Sequence, residues 1–125
     1  MAETFEVGQD IYACIKGGWV TGTSYHPPYG NFSVKVSQAS HAGAAGVADF
    51  STDDELYMGI DYKDDNDVFL TGASEEGTWP WGPDRAPTHM PAGTFPLGWT
   101  RNYGQGKVFT LLLGHDGKSF DSPEF

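Results

Sequence analysis

Short alternations of apolar and polar residues organise this chain. Phe32-Ser33-Val34-Lys35-Val36-Ser37 alternates with a period of two, which predicts a strand with one buried face. Phe50 to Tyr57 opens with turn- and cap-forming residues and leads into a strand expected over Leu56–Ile60. Val68–Thr71 reads as a short buried strand. Leu97–Arg101 and Lys107–Leu113 flank a glycine turn (Gly104, Gly106) and predict a closing hairpin. One helix is expected, over residues 3–16. Its acids come early (Glu3, Glu6), a lysine comes late (Lys16), and Gly17-Gly18 would end it.

The rest reads as loop. Residues 19–31 combine glycines with Pro27-Pro28 and carry the aromatic anchors Trp19, Tyr25 and Tyr29. Residues 38–49 are too rich in glycine for a stable helix. Asp61 to Asp67 holds four aspartates and reads as an exposed turn. Gly72 to Gly93 contains Pro80, Pro83, Pro87 and Pro91, which argue against regular structure there. In the tail from Lys118 onward, Phe120 and Phe125 are the only anchors.

Length and charge narrow the classes. At 125 residues the natural count is one domain, 1–125. A formal charge of −10 argues against a nucleic-acid partner and is the ordinary charge of a soluble surface. No apolar run reaches the length of a membrane span. The acidic N-terminus lacks the apolar core of a signal peptide, so the expected location is cytoplasmic. The single cysteine, Cys14, excludes an internal disulfide framework. It sits in an apolar run as a packing residue rather than on the sharp turn a nucleophile needs.

Chemistry is confined to a few residues. His26, His41, His89 and His115 show no paired metal-ligand spacing. His115 follows Leu111-Leu112-Leu113-Gly114 and is followed by Asp116, so its ring is expected to emerge where a buried strand ends. It either acts there or satisfies backbone groups. Asp53-Asp54-Glu55 is a carboxylate cluster of the kind that makes a general acid when buried, or caps a turn when solvated. Arg101, between Trp99 and Tyr103, either stacks structurally or clamps a carboxylate. Trp79 and Trp81 lie in the proline-bounded loop, where exposure would indicate binding; Trp99 is expected in the core.

Three stretches carry a resemblance. Pro96 to Asp116 reads P-L-G-W-T-R-N-Y-G-Q-G-K-V-F-T-L-L-L-G-H-D and resembles the closing segment of the ThuA-like, trehalose-utilisation family. S-Y-H-P-P-Y-G (Ser24–Gly30) followed by F-S-V-K-V, and G-V-A-D-F-S-T-D-D-E-L-Y (Gly46–Tyr57), are similar to earlier segments of that family and fall in its order. The resemblance implies an α/β fold, a flavodoxin-like or amidotransferase-like sheet, of which this chain would be the C-terminal half. On its own the chain would then be β-rich, with few helices and long loops. A half domain would leave sheet edges uncovered, hence an expected homo-oligomer. The amidotransferase nucleophile elbow has no counterpart here.

The resemblance also implies that His26, Glu55 and His115 approach one another at the carboxyl edge of the sheet and carry catalysis. Trp79, Trp81, Tyr25, Arg101 and Asp116 would contact substrate. The ligand would be a sugar or sugar derivative, bound or transformed by acid/base chemistry. A histidine pair with a carboxylate also suits Zn²⁺, Mn²⁺ or Fe²⁺, so a divalent metal stays open as a cofactor. Two alternatives stand beside this: a non-catalytic oligomeric sugar-binding or interaction module, and a metal-dependent hydrolase of a non-sugar ester or amide.

Overall fold

The computed structural model describes residues 24–121 and Pro123. The expected helix over 3–16, Cys14 and Trp19 lie outside the described residues. Seven strands are present: β1 (Gly30–Val36), β2 (Phe50–Asp54), β3 (Asp67–Ser74), β4 (Gly77–Trp79), β5 (Thr88–Met90), β6 (Gly93–Tyr103) and β7 (Gly106–Leu111). Five of them form one sheet in the order β2-β1-β3-β6-β7, and every neighbouring pair is antiparallel. β4 and β5 form a separate two-stranded ribbon.

This overturns the α/β expectation. The only helical segments among the described residues are single 3₁₀ turns at Ala42–Ala44 and Ser119–Asp121. Parallel neighbours need crossovers of about a dozen residues or more, usually helical. Here the connections are glycine-, proline- and aspartate-rich, and no segment repeats with a helical period. The antiparallel ladder is the arrangement such connections permit. Among the described residues, no helix is long and apolar enough to cross a membrane.

The two central strands are buried on both faces. Phe69 and Leu70 of β3 are consecutive and inaccessible, as are Leu97 to Thr100 of β6. Val34, Leu56, Met58, Phe69, Leu70, Met90 and Leu97 form the core with Ala44. Trp99 is buried as expected, with Tyr62 edge-on at 5.6 Å. Pro96 cannot donate to a ladder, and the β3–β6 register shifts beside it, between Leu70 and Thr71. The predicted hairpin forms, with Tyr103 opposite Gly106. Gly104 takes φ +58°, and among the described residues none other than glycine takes a positive φ. That is the glycine-first two-residue turn that matches strand twist.

Two segments depart from expectation. Leu56–Ile60 is not a strand of the sheet: Leu56, Met58 and Ile60 are buried, but among the described residues the only pairing is an isolated bridge from Met58 to Tyr25. The ladder to β1 is made instead by the polar run Phe50–Asp54. The proline-rich excursion also holds structure. Its prolines flank β4 and β5 rather than interrupt them, and β3 and β6 extend into it.

Antiparallel order fixes where the loops go. The exits of β2, β3 and β7 and the entries to β1 and β6 share one end of the sheet. The β6–β7 turn and the entry to β3 lie at the other.

Candidate functional site

Asp54 closes β2 and ties that end of the sheet together. It is 1% exposed. Its carboxylate accepts backbone hydrogen bonds from Glu55 (2.8 Å), Gly114 (2.7 Å) and His115 (3.2 Å). Gly114 takes φ +103°, a conformation other residues rarely adopt. This turn presents both amides to one carboxylate. The Ser119 hydroxyl adds a bond to the Asp53 carbonyl at 3.1 Å. The loop after β7 is thereby held against the exit of β2.

The next residue, Glu55, brings two histidines and a tyrosine together. Glu55 has a side chain 12% exposed, and His115 Nδ1 lies 3.1 Å from its Oε2. His26 Nδ1 lies 3.7 Å from Oε1 and 2.6 Å from the Pro27 carbonyl. The Tyr57 hydroxyl donates to Oε2 at 2.5 Å. Every oxygen facing these two Nδ1 atoms is an acceptor, so each Nδ1 carries the proton. In the neutral rings Nε2 is then the free lone pair. His115 is 44% exposed at its side chain and His26 27%. Burial, together with the hydrogen bond to Glu55 and its charge, pushes the Tyr57 phenol up to about 12. Near neutral pH it is therefore a fixed donor to the carboxylate.

Aromatic rings surround the cluster. Tyr57 and Trp81 stand edge-on to His26 at 5.3 Å and 5.7 Å, and Tyr29 is tilted 5.7 Å from His115. Trp81 is fixed by its indole N–H, which donates to the Thr88 hydroxyl of β5 (2.9 Å), and by the Arg85 guanidinium 4.1 Å over its ring.

The three residues expected to act together therefore meet, but at the end of an antiparallel sheet rather than the carboxyl edge of a parallel one. The remaining candidates divide. Trp81 adjoins His26. Tyr25 contributes its backbone, exchanging hydrogen bonds with Met58 that set His26 beside Tyr57. Asp116 is engaged as a turn former: it accepts from the Tyr29 hydroxyl (3.1 Å) and the amides of Lys118 (2.8 Å) and Ser119 (3.4 Å). Desolvation works to raise the Asp116 carboxyl, but these hydrogen bonds outweigh it and hold it below the usual range. Trp79 is 41% exposed on β4. Arg101 is not part of the cluster. It lies toward the opposite end of the sheet and binds Asp65 at 2.7 Å.

His41 and His89 also stand apart. His41 is buried and stacked on Phe69 at 4.5 Å; it accepts from the Gly43 amide and meets the Thr100 hydroxyl at 2.9 Å. His89 is exposed beside Glu76. Among the described residues, no group of three or more His, Cys, Asp or Glu is placed to hold a metal ion. At the cluster both imidazoles turn Nδ1 toward Glu55, a hydrogen-bonding arrangement.

Tyr57 has no assigned role in the sequence, Tyr29 reads there only as an aromatic anchor, and Asp54 only as a member of the carboxylate cluster. Tyr57 was discoverable, since residues two apart on an extended segment share a face, as Glu55 and Tyr57 do. Asp54 as a tie across sixty-one positions to His115 had no local signal.

The described residues thus form an antiparallel sheet with a histidine–carboxylate–histidine cluster at one end. The chain belongs to the ThuA family, described as trehalose utilisation, whose model it matches over residues 4–125. Its role is accordingly a carbohydrate-related one. No curated protein and no solved structure matches the chain.

Proposed function

We propose that the cluster of His26, Glu55 and His115 transfers protons on a bound sugar or sugar derivative. One observation carries the proposal: a single carboxylate meets the Nδ1 edges of two imidazoles while His115 remains open to solvent. His115 is the general base, taking a proton at Nε2. Glu55 fixes its tautomer and orientation and balances the imidazolium that forms. One carboxylate matches one such cation, so a proton gained by His115 meets a charge already in place. The proton taken by His115 returns from its Nε2 to a leaving or neighbouring oxygen, and His26 supplies the second imidazole, whose Nε2 lone pair accepts a hydrogen bond from a sugar hydroxyl. Tyr57 holds Glu55 still. The family supports a sugar as the ligand, as do the rings of Tyr29, Tyr57 and Trp81, which suit the apolar faces of sugar rings.

The test is to follow sugars incubated with the protein in D₂O by proton NMR, using wild type, Glu55→Gln and His115→Ala. Bond changes or C–H exchange should appear with wild type and vanish in both variants. Undiminished turnover in the variants would refute the assignment. The second reading, an oligomeric module that binds sugar without transforming it, draws on β2 and β7, which are the outer strands of the sheet among the described residues. Light scattering decides its oligomeric part, since a monomer at micromolar concentration ends it.

A further inference from the structure

A groove lies beside the imidazole cluster. It holds about 790 Å³ and runs between the entry to β1 and the β3–β4 connection. That volume lies within the roughly 300–1,000 Å³ of small-molecule sites. Tyr29 lines the groove and also stands 5.7 Å from His115, so it borders both the groove and the cluster. Trp79 of β4 lines it as well, with its indole 41% exposed. Asn31 and Ser33 add hydrogen-bonding groups, and Glu75 and Glu76 add negative charge. No Lys, Arg or His is among the described residues that line it.

Singly exposed hydrophobic residues are normal on a surface. Trp79 differs in that it lines a concavity with polar neighbours. A flat aromatic face can take the apolar face of a pyranose, while hydroxyls at the rim find Asn31, Ser33 and the carboxylates. The same carboxylates, unbalanced by any cation in the groove, create a negative field. A phosphate or uronate would enter it against like charge.

We infer that this groove is a subsite for a second, uncharged sugar unit. A glycoside whose reacting unit lies at His115 and Glu55 extends past Tyr29 and rests its next unit on Trp79; phosphorylated and uronic units are turned away. The inference rests on the sugar reading of the cluster.

Calorimetric titration of the full chain with glucose, maltose, cellobiose, trehalose and glucose 6-phosphate tests it. At least one disaccharide should bind about tenfold more tightly than glucose, the gain expected of one aromatic contact. Trp79→Ala should bring that disaccharide down to the affinity of glucose, and Trp79→Phe should restore most of the gain. Glucose 6-phosphate should bind more weakly than glucose at low salt, and the gap should narrow as salt screens the carboxylates. Equal affinities for glucose and every disaccharide, a disaccharide gain that survives Trp79→Ala, or unimpaired glucose 6-phosphate binding would each overturn the subsite. If glucose binding is then still lost in His115→Ala, the cluster reading stands alone. If no sugar binds the wild type, both fall.

Discussion

Replacing Asp54 by Ala removes one buried carboxylate and strands three backbone donors, those of Glu55, Gly114 and His115. Hydrogen bonds to a charged group contribute about 1.5–3 kcal/mol each, and bonds sharing one acceptor group do not add independently. The Gly114 and His115 amides are only partly buried, so water recovers some of the loss. The expected cost is therefore about 3–4 kcal/mol, large against the roughly 5–15 kcal/mol that holds a domain together, yet short of unfolding most domains. Asp54→Asn keeps one acceptor oxygen and turns an amide group toward an N–H; it should cost about half as much. Urea denaturation gives the stability. Imidazole ¹H–¹⁵N correlation spectra give the second readout: the wild type should show His115 as the Nδ1–H tautomer, and both variants should show a mixture as the loop leaves Glu55. An Asp54→Ala variant within about 0.5 kcal/mol of wild type, the range of inert surface changes, would refute the tie. So would a normal loss of stability with the His115 tautomer unchanged, since the loop would then be held by something else.

Other perturbations separate the site from its frame. The Tyr57 phenol, raised from 10.0 to about 12, contributes stability that is complete below pH 10 and lost as pH rises through 12. Absorbance titration should find it among the late-ionising tyrosines with Tyr62, which burial also pushes to about 12, and Tyr57→Phe should remove one of those two transitions. Glu55→Gln and His115→Ala, combined, should fall short of the sum of their separate losses of sugar affinity by about 0.5–3 kcal/mol; strict additivity would show that the two do not act as a unit. Arg101→Ala should leave sugar binding untouched while the Asp65 carboxyl, held down chiefly by its hydrogen bond to Arg101, returns toward its usual range in an NMR titration. Gly104→Val should lower stability by about 1–3 kcal/mol in urea unfolding, because the turn needs its positive φ.

The hydrophobic pattern reported burial more faithfully than it reported partners. Phe32 to Val36 alternates and is β1. Leu56, Met58 and Ile60 alternate equally well and are buried, yet they meet the rest of the fold through one bridge and side-chain packing. Period-two alternation reflects a buried face; it carries no information about which backbone sits alongside. Phe50–Asp54 shows the converse, a polar run made into a strand by pairing with β1. The closing hairpin was legible because Gly104 meets a local backbone requirement. His26, Glu55 and His115 were legible because each stands in a recognisable segment, but their meeting depends on the long-range tie through Asp54. The parallel-sheet expectation came from kinship and not from these residues, whose connections allow only antiparallel neighbours. Counting prolines misjudged Gly72 to Gly93 because what matters in a ladder is where a proline falls.

The bond from Asp54 to Gly114 has a consequence in time. It spans sixty positions, and it can close only after the last hairpin has joined the sheet. Contacts this distant in sequence are late and entropically expensive in folding. The polypeptide can therefore assemble β1 with β2 soon after both are made, but it gains a paired Glu55 and His115 only when the final strand docks. The proposed site is therefore assembled only with the sheet. Native-state hydrogen exchange would display this as Gly114 and His115 amides that open only with the sheet itself, whereas exchange through local fraying would show the loop to be independent of the fold it finishes.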